Sequence, residues 1–136
     1  MTTRIIPSYP HAQGLTKLAY SQDGKYLITA GADQLIRKFT VDEESKEPET
    51  FEQHTDPVTA IAAARNVFAS ASEDCTVSLF RMQNSEENVR MLTRCTLPVR
   101  DVAFSPDGDW LGVASEYGHL MALLTTGRQM PRLLIR

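Results

Sequence analysis

His54, Ser70 and Asp74 carry an imidazole, a hydroxyl and a carboxylate, and the same three chemistries recur as His11, Thr29 and Asp33. Such a set could activate a nucleophile, with the imidazole taking the hydroxyl proton and the carboxylate holding the ring. The sequence argues against hydrolysis. The set occurs twice, once with threonine for serine, and neither hydroxyl lies in a Gly-x-Ser-x-Gly elbow or beside a candidate oxyanion loop. Phosphate-cradling glycine loops, a His-Glu-x-x-His helix, an EF-hand loop and a Cys/His cluster are all absent. Cys75 and Cys95 fall in different parts of the chain without metal-ligand spacing, so they read as reduced thiols. His119 stands alone and reads as solvated. The expectation is therefore a protein with no catalytic residue, no cofactor, no metal and no small-molecule substrate.

The elements that must position these side chains are set by an internal repeat. Leu15-Thr-Lys-Leu18-Ala-Tyr20-Ser21-Gln-Asp23-Gly24-Lys-Tyr26-Leu27 aligns with Val99-Arg-Asp-Val102-Ala-Phe104-Ser105-Pro-Asp107-Gly108-Asp-Trp110-Leu111 at an offset of 84 residues. A middle copy begins at Val58, offset by 43 from Leu15, and its Ala69-Ser70-Ala71-Ser72-Glu73-Asp74 matches Ile28-Thr29-Ala30-Gly31-Ala32-Asp33 at an offset of 41. The difference lies in the first hairpin, which shortens to Ala64-Arg65-Asn66. Each copy alternates apolar and polar residues, turns, and alternates again, the pattern of a β-meander. Strands are expected near 15–20, 26–30 and 35–40, near 58–63, 67–71 and 76–81, and near 99–104, 110–114 and 119–125. The segments 42–52 and 82–95 should each hold a fourth, outer strand with its loops. Asp23-Gly24 and Asp107-Gly108 supply the positive φ that tight hairpins need, and Asn66 is expected to do so in the middle copy. Thr29 and Ser70 thus sit in mid-strand, a poor place for an exposed nucleophile.

Composition narrows the function further. The 136 residues suit about one domain, and 14 basic against 17 acidic side chains leave a net charge of −3, which argues against a protein that coats nucleic acid directly. No apolar run reaches the length of a bilayer span, and the opening Met-Thr-Thr-Arg-Ile-Ile-Pro is too short for a signal-peptide core, so no membrane association is expected. Residues 42–52 carry six acids and one lysine, as expected of a solvated outer loop.

The repeated residues resemble the WD-repeat β-propellers, whose period is about 40 to 45 residues with four strands per blade. His54-Thr-Asp-Pro-Val58 looks like that family's Gly-His opening with Gln53 for glycine, Asp33 and Asp74 match its turn aspartate, and Phe39 and Phe80 stand where its tryptophan would be. No Trp-Asp dipeptide is present. The resemblance implies an all-β partial propeller of about three four-stranded antiparallel blades, units about 11–50, 51–94 and 95–136. It also implies two structural networks, His11 with Thr29 and Asp33, and His54 with Ser70 and Asp74. In the third unit Cys95 replaces the histidine and Tyr117 the aspartate, so both members are lost together. Trp110 is expected to pack between blades.

A narrower resemblance joins Met91-Leu-Thr-Arg-Cys-Thr-Leu-Pro-Val-Arg-Asp-Val-Ala-Phe-Ser-Pro-Asp-Gly-Asp-Trp-Leu with Pro10-His-Ala-Gln-Gly-Leu-Thr-Lys-Leu-Ala-Tyr. These runs look like the N-terminal propeller of the chromosome transmission fidelity, SepB and acidic nucleoplasmic DNA-binding protein family of replisome adaptors. That implies a nuclear, non-catalytic scaffold linked to DNA polymerase alpha, with replisome proteins as partners, of which this chain would be an N-terminal fragment. Partner contacts are expected on the rim at Gln13, Ala32, Asp56, Glu73, Arg100 and Glu116. The alternative is a WD-repeat scaffold of another pathway, such as a ubiquitin-ligase substrate receptor or a trafficking adaptor.

Overall fold

A computed structural model describes residues 14–42, 47–83, 85 and 89–125. His11 and Gln13 lie outside the described residues. The described chain is built almost wholly of strands: β1 Leu15–Tyr20, β2 Tyr26–Gly31, β3 Ile36–Thr40, β4 Glu49–Phe51, β5 Val58–Ala63, β6 Val67–Ser72, β7 Thr76–Arg81, β8 Arg90–Arg94, β9 Val99–Phe104, β10 Trp110–Ser115 and β11 Leu120–Leu124. They form three antiparallel meanders in chain order, β1-β2-β3-β4, β5-β6-β7-β8 and β9-β10-β11. The expected outer strands are β4 and β8. Successive meanders stack face to face through their first strands, with β1 beside β5 and β5 beside β9.

The first and third hairpins repeat atom by atom. Gly24 and Gly108 take φ values of 76° and 77°, the left-handed region that glycine enters without a Cβ penalty. In the first hairpin Asp23 Oδ1 accepts from Ser21 Oγ at 2.7 Å and from Lys25 N at 3.0 Å, while Tyr26 N donates to Ser21 Oγ at 3.0 Å. In the third, Asp107 Oδ1 accepts from Ser105 Oγ at 2.6 Å and from Asp109 N at 3.0 Å, and Trp110 N donates to Ser105 Oγ at 3.0 Å. The middle hairpin differs from expectation. Asn66 stays out of the left-handed region. Two residues shorter, this connection closes with Ala64 N donating to Val67 O at 2.8 Å, and the Asn66 carbonyl is drawn to Met82 N at 2.7 Å.

Two apolar clusters lie between the sheets. One joins Ile28, Ala30 and Ile36 of the first sheet to Val58, Ile61, Phe68 and Phe80 of the second, with Phe51 closing its outer side. Phe68 and Phe80 stack in parallel with centroids 4.6 Å apart. The other joins Ala69, Ala71, Val77 and Leu79 to Val99, Val102, Leu111 and Val113. A sheet whose two faces are both covered needs apolar residues on both, which explains the near-continuous burial along β6 and β7. Trp110 departs from expectation: half-exposed at the start of β10, it is not among the residues of either cluster. Its place in the first unit is held by Tyr26, which packs against the cluster between the first and second sheets.

Candidate functional site

The second sheet brings His54, Ser70 and Asp74 together at one end. His54 precedes β5, Ser70 lies mid-β6 and Asp74 occupies the β6–β7 turn. The turn holds its shape because Cys75 adopts a left-handed φ of 74°, and the corresponding Gln34 in the first sheet takes 75°. His54 Nε2 lies 2.7 Å from Ser70 Oγ, and its Nδ1 lies 3.0 Å from Asp74 Oδ2. Asp74 also accepts from Thr55 N at 3.1 Å, Thr76 N at 2.9 Å and Thr76 Oγ1 at 2.5 Å. Thr76 Oγ1 is 3.1 Å from His54 Nδ1, so it is a fourth member of the array.

The electrostatics assign the protons. Burial pushes the His54 imidazole below its ordinary value of 6.5, against the opposing pull of Asp74, so the ring is neutral at pH 7. Burial raises the Asp74 carboxyl, but the hydrogen bonds from Thr76, Thr55 and His54 together outweigh it and hold the group below its ordinary 3.8. The network then assigns Nδ1–H as donor to the carboxylate and Ser70 Oγ–H as donor to Nε2. Ser70 is 0% exposed and His54 4%, so the hydroxyl has no face open to a carbonyl substrate. The array is a hydrogen-bond clasp that ties loop, strand and turn into one unit.

Thr29 is buried in mid-β2 and Asp33 occupies the β2–β3 turn, where its Oδ1 accepts from Leu35 N at 3.1 Å. Leu35 stands where Thr76 stands in the second sheet. In the third sheet the turn is a single 3-10 turn, Glu116–Gly118, with Tyr117 at φ 60° and largely in solvent. Backbone pairing fixes the equivalence of the three turns: Ala32 N, Glu73 N and Glu116 N donate to Gly14 O, Pro57 O and Pro98 O at 3.1, 3.0 and 3.0 Å.

Those turns place the rim residues. Arg100 leaves β9 and bridges two sheets: its Nη1 is 3.3 Å from Glu73 Oε1 and its Nη2 pairs with Glu116 Oε1. Glu116, and then Glu73, raise the already high affinity of Arg100 for its proton. Asp56 is exposed in the loop before β5, and Ala32 is half-buried in the first turn. The structure therefore gathers Glu73, Arg100 and Glu116 into one charged cluster. Arg100 sits where Thr16 and Thr59 sit in the other sheets. Thr16 Oγ1 is 2.6 Å from Val58 O, and Thr59 Oγ1 is 2.7 Å from Val99 O, each hydroxyl reaching the next sheet.

Among the described residues, no group of three or more His, Cys, Asp or Glu side chains could hold a metal, and no helix is long and apolar enough to cross a membrane.

Antiparallel meanders stacked in chain order through their first strands, the second of them bearing a polar clasp at one end, define a partial β-propeller. The WD domain, G-beta repeat family matches residues 4–39, 45–81 and 86–121, and the chain belongs to that family. Its fold is similar to the β-propeller domain of Cps50 (Swd1) from Myceliophteria thermophila, with a TM-score of 0.77 at 16% identity over 92% of this chain and 40% of that one. In sequence it is 48% identical over 113 residues to Minichromosome loss protein 1 of Schizosaccharomyces pombe, covering 83% of this chain and 14% of that protein. It is also 27% identical to the pre-rRNA-processing protein IPI3 of Eremothecium gossypii, over 83% of this chain and 25% of that one. The Drosophila melanogaster LST8 homolog is 28% identical over 79% of this chain and 34% of its own length. The chain thus spans about a third or less of the curated relatives it matches.

Proposed function

We propose that this chain is part of a larger WD-repeat propeller that acts as a nuclear, non-catalytic protein-interaction scaffold in chromosome replication. The observation that carries this reading is the 48% identity to a protein whose name records minichromosome loss, well above the 27% and 28% to the other two relatives. The runs quoted for the replisome-adaptor resemblance support the same reading. Units of about 11–50, 51–94 and 95–136 are its blades. The interaction surface is the rim of Glu73, Arg100 and Glu116, with Asp56 and Ala32 as further contacts, and Gln13, outside the described residues, is a proposed contact by its position in the sequence. An ion pair half open to water contributes little to folding, yet a planar guanidinium held between two carboxylates presents a preorganised patch to a partner.

The test is affinity capture of replicative helicase and DNA polymerase alpha by the natural protein, carrying either the native rim or the pair Glu73→Lys and Glu116→Lys. Partner affinity should fall at least tenfold in the variant, with thermal stability unchanged. Equal capture by both forms would discard the rim. Capture of pre-rRNA-processing proteins instead would favour the second reading, a WD-repeat scaffold of another pathway, which the similarity to IPI3 supports.

A further inference from the structure

The sequence separates its two cysteines by twenty positions, but the fold makes them neighbours. Cys75 sits in the β6–β7 turn, immediately before β7, and Cys95 immediately follows β8. Thr76 pairs with Arg94 across these strands. One step further, Cys95 N donates to Cys75 O at 2.7 Å. That direct backbone bond, one step beyond the last ladder pair, brings the two Cα atoms to about the separation a disulfide spans. Both thiols are free and half-buried. Burial, with Cys75 adding to it, pushes the Cys95 thiol up.

We propose that Cys75 and Cys95 are a thiol modification site, closing to an intrachain disulfide when the protein meets a low-molecular-mass disulfide such as oxidised glutathione. Cys75 is the entry thiol, because it lies on the turn with its sulfur 3.8 Å from the Glu73 carbonyl, at the edge facing solvent. Its thiolate attacks the small disulfide, forms a mixed disulfide and releases one small thiolate, which takes up a proton. Cys95 then gives up its own proton and attacks Cys75 Sγ, expelling the second small thiol. The protein loses two electrons and two protons, and the small disulfide gains both to become two thiols. The new bond would tie the exit of β8 to the turn that carries Glu73 and Asp74.

The test is intact-mass measurement and non-reducing peptide mapping of the folded chain after incubation with oxidised glutathione. The expected product is a monomer about 2 Da lighter, with the Cys75 and Cys95 peptides linked and dithiothreitol restoring both thiols. Cys95→Ser should stop at the mixed disulfide on Cys75. Two glutathione adducts on one wild-type chain, a covalent dimer, or two thiols still free after incubation would each overturn the proposal. The wild-type result stands whether or not the serine variant folds.

Discussion

At the scale of single residues, the clasp around His54 is where small changes should cost most. Ser70→Ala removes the hydroxyl 2.7 Å from His54 Nε2 and leaves a buried ring nitrogen without a partner, at an expected cost of about 1 to 3 kcal/mol. Urea denaturation reads this directly as a lower midpoint at unchanged slope. The same residue makes stability pH-dependent. The folded His54 lies below the ordinary 6.5, so below that pH the unfolded chain binds a proton that the folded chain refuses. Stability should be complete above 6.5 and fall as the pH drops through the window below it. Asp74, also lowered in the fold, contributes stability present above 3.8 and lost as the pH falls through its folded value. Urea midpoints between pH 7.5 and 5 should decline in the wild type and flatten in His54→Gln; parallel curves would exclude His54 as the source. The grouping of His54, Ser70 and Asp74 was legible through the resemblance to WD repeats, whose opening histidine and turn aspartate they match. Thr76 was not, since its counterparts Leu35 and His119 carry no hydroxyl and no repetition marks it.

At the scale of elements, the sheets are held by links that cross from one to the next. Thr16 and Thr59 lie at the bulges of β1 and β5, where the extra residue frees the hydroxyl to reach the neighbouring sheet. A stronger link starts from Lys38 on β3, which is only 6% exposed. Its Nζ donates to Met82 O at 2.8 Å and Ser85 Oγ at 2.9 Å, and lies 2.7 Å from Glu49 Oε2. Three donors meet three acceptors, with the Tyr26 ring 4.8 Å away on a further side. Lys38→Ala should therefore destabilise by about 2 kcal/mol. Because Lys38 is buried while its partner Glu49 is 38% exposed, added salt should reduce the difference between wild type and variant only in part, leaving the bonds to Met82 and Ser85. Calorimetry at low and high salt checks both parts. Nothing in the sequence distinguishes Lys38 from its neighbour Arg37, since alternation assigns a face and cannot say that the next sheet offers a carbonyl to a cation on that face.

At the scale of the whole molecule, the two apolar clusters account for the inner faces of the stack, while its first strand remains open. Leu15, Leu18 and Tyr20 of β1 are 54%, 56% and 58% exposed, although their counterparts Val58 and Ile61 in β5 are buried beneath the first sheet. Apolar residues repeated at positions that a neighbouring blade covers elsewhere are the pattern expected of a propeller continued by further blades. Leu18→Asp should then change this chain's own stability by no more than about 0.5 kcal/mol. In the longer propeller proposed above, it should cost several times as much. Thermal unfolding of both forms tests this, and an equal effect in the two would mean that no blade covers β1.

The sequence by itself determined the all-β meander, the strand positions and the family, because period, turn chemistry and alternation are local properties that recur along the chain. It placed the glycine turns correctly and mistook Asn66, where the shape of a shorter hairpin prevails over residue preference, and it did not foresee that Trp110 stays outside both clusters. Only the tertiary structure decided that Arg100 joins Glu73 to Glu116, that Lys38 is a buried clamp, and that Cys95 bonds to Cys75 across the end of the β7–β8 ladder. Each of these pairs residues from different strands or sheets. Such pairings arise from register and stacking, and one chain read in order carries no signal for a contact that occurs once.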